Sequence, residues 1–82
     1  MNKLDVKALG LTLGIVWGGG MFLLGLTALL GGWGTQWVRA MGSLYIGYEP
    51  TVVGSIIGGA WGFVDAGIGG LLIAFIYNKL AK

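Results

Sequence analysis

The sequence predicts an all-α membrane protein, a two-helix transmembrane hairpin. Three observations predict it. The chain has 82 residues, 56% of them hydrophobic and only 10% charged. A soluble fold this short cannot hide that much apolar surface, because small folds bury a lower share of their area than large ones. The apolar residues also fall in two long runs, and each run exceeds the roughly 20 residues that a helix needs to cross about 30 Å of hydrocarbon.

The expected elements follow in order. Residues 1–7 form a cytoplasmic tail, 8–32 the first transmembrane helix, 33–50 an outer connector, 51–78 the second transmembrane helix, and 79–82 a second cytoplasmic tail. The first run is too long for a cleaved signal and no A-x-A-like site follows it, so it reads as a retained span. Lys3, Lys7, Lys79 and Lys82 flank the outer ends of the spans, while the connector holds one Arg39 and one Glu49. The positive-inside bias then places both termini in the cytoplasm and the connector outside. Pro50 is expected in the first turn of the second helix, where its missing N–H costs nothing.

The connector is not a plain polar loop. Trp37, Met41, Leu44, Tyr45 and Tyr48 recur at helical spacing. Two conformations fit: a short amphipathic helix in the headgroup layer, or an aromatic belt on an irregular loop. On either reading Trp33, Trp37, Tyr45, Tyr48 and Tyr77 are interface anchors.

Eighteen glycines suit helices that associate in lipid, where close backbone approach replaces hydrophobic burial as the force between them. Gly10, Gly14 and Gly18 mark one stripe; Gly54, Gly58, Gly62, Ala66 and Gly70 mark another, which Ala74 continues. These stripes exceed what one hairpin contact needs, so homo-oligomer packing is expected. Sliding the chain by 44 residues lays Gly10, Gly14, Trp17, Gly18 and Gly25 over Gly54, Gly58, Trp61, Gly62 and Gly69. Trp17 and Trp61 read as buried aromatics packed against facing glycines.

Asp65 is the one acid within the spans. At 100° per residue it lies within about 40° of Gly54, Gly58, Trp61 and Gly69, so it is expected to face the packing stripe and to lie level with Gly18, Gly19 and Gly20. An ionised carboxylate at that depth costs at least about 2.5 kcal/mol, and neither span holds a cation to pair with it. It therefore either carries a proton and donates to a backbone carbonyl near those glycines, or lines water in a pore or cavity. Thr12, Thr27 and Ser55 are expected to bond their own helix backbone.

Two resemblances rest on these residues. Lys7-Ala8 with Leu11, Trp17-Gly18, Gly47-Tyr48, Gly54-Ser55 with Ile57-Gly58, the Trp61-Gly62-Phe63-x-Asp65 string, Ile68-Gly69-Gly70 and Tyr77-Asn78 resemble a group of small two-span prokaryotic membrane proteins labelled bacteriophage holin-like, a domain of unknown function. The likeness covers nearly the whole chain. It implies an inner-membrane protein, and holins assemble there into lesions that release a cell-wall hydrolase. The second helix is also similar to the rotor-ring subunit of rotary ATP synthases, in which a mid-helix acid carries protons. The aromatic connector departs from that family, as does its expected place outside.

The expected function is a small oligomeric holin-like pore. The alternatives are an accessory subunit of a larger membrane complex and a proton-translocating ring using Asp65. No nucleophile–base pair, metal cluster or phosphate loop is legible, so no enzyme, metal or cofactor is expected. The scattered net charge of +2 gives no nucleic-acid footprint. The partners expected are the lipid bilayer, further copies of the chain, or a larger complex.

Overall fold

The computed structural model describes residues 3–81. Met1, Asn2 and Lys82, the last among the flanking lysines above, lie outside the described residues. The chain is an all-α membrane hairpin: α1 (Val6–Gly31) and α3 (Val52–Leu80) run antiparallel, with a short α2 (Thr35–Gly42) in the connector. Both long helices are apolar all round. Only 28% and 17% of their most apolar stretches are buried within the chain, which distinguishes them from the core helices of a soluble protein.

Each helix starts and stops for local reasons. The Asp5 carboxylate accepts from Ala8 N at 3.0 Å and caps α1. The helix ends at Gly32 in the left-handed region, φ 76°, whose N–H returns to Ala28 O. Gly34 is left-handed as well, φ 82°, and the two together reverse the chain into α2, which packs back on α1. Thr51 caps α3 by accepting from Gly54 N at 2.8 Å. Pro50 therefore stands one residue ahead of the cap and not in the first turn. At the open end, the Asn78 amide clamps the Leu4 backbone, accepting from its N–H and donating to its carbonyl, both at 2.8 Å.

Gly10 faces Gly70, Gly18 faces Gly62 and Gly25 faces Ser55, each pair of numbers summing to 80. At Gly18 the contact is made of backbone. A Cβ on Gly18 would stand 2.7 Å from Gly59 O and 2.9 Å from Phe63 N, neither of which can rotate away. Thr12, Thr27 and Ser55 bond carbonyls of their own helices as expected.

The side-chain core lies elsewhere. Of the six buried hydrophobic residues among those described, Met21, Ala28, Val38, Tyr45 and Tyr48 cluster where the connector folds against the hairpin. The connector is helical over Thr35–Gly42 only, the first part of the short helix that one of the two expected conformations had; residues 43–51 are turns, bends and irregular backbone. Its latter part, however, turns inward: Tyr45 and Tyr48, expected as interface anchors, are 4% and 3% exposed.

Gly18→Ala should destabilise the hairpin by about 1–3 kcal/mol through overpacking. Gly19→Ala, whose Cβ meets nothing within 4 Å, should be neutral or stabilising by up to about 1 kcal/mol from helix propensity. Denaturant titration of both variants in the same micelle checks the contrast.

Candidate functional site: a carboxylate held by the connector

Successive residues of α3 divide between two faces. Gly59, Gly62 and Gly70 meet α1. Gly54 and Gly58 meet the connector instead: a Cβ on Gly54 would strike the Glu49 backbone, and one on Gly58 would strike the Tyr48 ring. Trp61 and Asp65 share this second face. The helical angles placing Asp65 beside Gly54, Gly58 and Trp61 therefore hold, but the connector and not α1 packs on that face at Gly54 and Gly58 and reaches Asp65 through Tyr45, while a Cβ on Gly69, expected there too, would meet nothing within 4 Å.

Bare glycine at Gly58 lets the Tyr48 ring pack against α3, and the Tyr48 hydroxyl donates to Met21 O of α1. Three residues earlier, Tyr45 stacks on Trp61, ring centroids 6.0 Å apart and planes within 7°. The Trp61 indole N–H donates to Ile46 O at 2.9 Å. The Trp17 indole N–H donates to the Tyr45 oxygen at 2.9 Å, and the Tyr45 hydroxyl donates to Asp65 Oδ2 at 2.6 Å. One directed chain of hydrogen bonds thus joins α1, the connector and α3. These bonds also serve a backbone that leaves helical form beside two apolar helices, where unpaired polar groups cost several kcal/mol in lipid.

Asp65 differs from its expected setting in three ways. It accepts a hydrogen bond from a side chain and does not donate to a carbonyl. The register places it opposite Ile15, while Gly19 and Gly20 have nothing near them. It is also exposed on the flank of the hairpin. Its carboxylate opens into a groove of about 370 Å³ lined by Leu44, Tyr45, Trp61, Val64 and Ile68. No Lys or Arg among the described residues pairs with it.

The other expected site residues separate clearly. Gly10, Gly14, Gly18, Gly62 and Gly70 are buried between the long helices, Gly54 and Gly58 lie beneath the connector, and Ala66 is half-buried. The stripes thought to leave small faces for a second copy are occupied within one chain. Trp17 does lie against Gly62, but Trp17 and Trp61 are 45% and 41% exposed, not buried, because each turns its polar edge inward to an acceptor and leaves its ring partly outside. Trp33 and Trp37 are exposed, as anchors require, and Tyr77 is half-buried.

Sequence reasoning named Tyr45 and Tyr48 as interface anchors and missed their role as partners of Trp17, Asp65 and Met21. A signal existed: two mid-span indoles and one carboxylate lacked polar partners within the spans, and the connector tyrosines carry a hydroxyl on a flat apolar body. No family model, curated protein or solved structure matches this chain.

Tyr45→Phe should orphan the Trp17 N–H and release the connector from Asp65, at a cost of about 1–3 kcal/mol. Hydrogen exchange across residues 43–48 should accelerate in this variant and stay unchanged in Trp33→Phe, whose ring is exposed.

Proposed function

We propose that the chain acts as a small holin-like pore former of a prokaryotic inner membrane, both termini cytoplasmic, whose copies assemble with their Asp65 flanks around a shared aqueous path. The observation that carries this reading is the exposed carboxylate halfway along an otherwise apolar hairpin. Facing acyl chains, it would cost at least about 2.5 kcal/mol per copy. Facing water in an assembly, it costs little, and a ring of such groups favours cations over anions. Assembly uses the Asp65 flank, since the glycine stripes are already covered in the chain. A pore is also the function that the sequence's resemblance to holin-like two-span proteins implies.

Purified protein in liposomes should pass potassium faster than chloride. Asp65→Asn should lower potassium flux at least about tenfold while particle size in gentle detergent stays the same. A wild-type protein that passes no ions alone, and leaves native membrane bound to larger proteins, would instead be an accessory subunit.

A further inference from the structure

We propose that the groove at Asp65 binds a lipophilic organic cation, an ammonium or phosphonium carrying its own apolar substituents. The inference rests on the same reading of Asp65 as a group that faces cations, and it adds the class of ligand. Four observations carry it. The carboxylate is pinned through Oδ2 by Tyr45, so the charge has a fixed position. No cationic side chain among the described residues neutralises it. The walls around it are apolar and aromatic: Leu44, Val64 and Ile68 with the stacked pair Tyr45 and Trp61. The volume, about 370 Å³, is within the range that holds a drug-sized molecule, roughly 300–1,000 Å³.

The donor set decides between kinds of cation. A dehydrated calcium ion takes about 6–8 oxygen ligands, and magnesium an octahedron of them. The groove supplies one carboxylate and one phenolic oxygen among hydrocarbon walls, too few to replace a hydration shell. An organic cation needs no such shell. Its substituents lie on Leu44, Val64 and Ile68, its charge approaches Asp65, and the indole of Trp61 adds an aromatic wall that cations favour. Trp61 also lines a neighbouring apolar groove with Ile57, Ala60 and Val64, which gives a bulky substituent room to extend.

The test is equilibrium dialysis of the full-length protein in non-ionic detergent, with tetraphenylphosphonium as probe and neutral triphenylphosphine oxide as its comparison. Saturable binding of the cation, at least about tenfold tighter than the neutral compound, is expected. Asp65→Asn should remove that preference. Ile68→Trp, which fills the groove and leaves Asp65 in place, should abolish binding; circular dichroism verifies that both variants keep their helices. Should Asp65→Asn lose its helices, Ile68→Trp and Asp65→Glu decide, the latter retaining the preference. Equal binding of the two compounds, unsaturable partition into detergent, or cation binding that survives Ile68→Trp would overturn the proposal. Asp65-dependent binding without ion flux would leave this site standing and remove the pathway; flux without binding would do the reverse.

Discussion

The Tyr45 hydroxyl accepts from Trp17 on α1 and donates to Asp65 on α3, so a single oxygen ties the connector to both long helices. A hydroxyl is suited to this place because it donates once and accepts as well. An indole N–H only donates, and the carboxylate oxygen it faces only accepts. The two could not be joined over this span without an intermediary of both kinds. The stacking of Tyr45 on Trp61 sets the ring so that the hydroxyl points the right way. Exchanging the phenol for an apolar ring would leave the shape and remove the join.

Glycine makes this geometry available, and it does so twice. On one face of α3 the missing side chains let α1 approach to backbone contact; on the adjacent face they let a connector aromatic lie against the helix. Larger residues at Gly54 or Gly58 would hold the connector away and leave Asp65, Trp17 and Trp61 without their partners. The two uses are legible as separate only when the connector is treated as a packing partner. The 44-residue repeat acquires a physical meaning on the same view: its two tryptophans, Trp17 and Trp61, converge on Tyr45 from the two helices.

The hairpin was legible from the sequence because two apolar runs of that length, broken only by Asp65, have few other solutions. The glycine stripes and the angular position of Asp65 were legible for a similar reason, since helical geometry is regular. The site was not. Tyr45 and Tyr48 sit in a segment whose composition equally suits a membrane interface, and no periodicity says that residues 43–48 turn back along the hairpin. That path is set by the reversal at Gly32 and Gly34 and by the burial of Val38 and Tyr48, which are tertiary facts. The same omission made the small-residue stripes look like surplus for a second copy. Pro50 stands two residues ahead of the first helical residue because Thr51, a stronger cap, takes the position after it.

The connector reaches the middle of the hairpin and holds Asp65 there. Solid-state NMR of uniformly carbon-13-labelled protein in lipid bilayers tests it most directly. A through-space cross-peak between the Tyr45 ring carbon bearing the hydroxyl and the Asp65 carboxyl carbon is predicted. Tyr45 signals that instead correlate with lipid headgroups, with no cross-peak to Asp65, would contradict it.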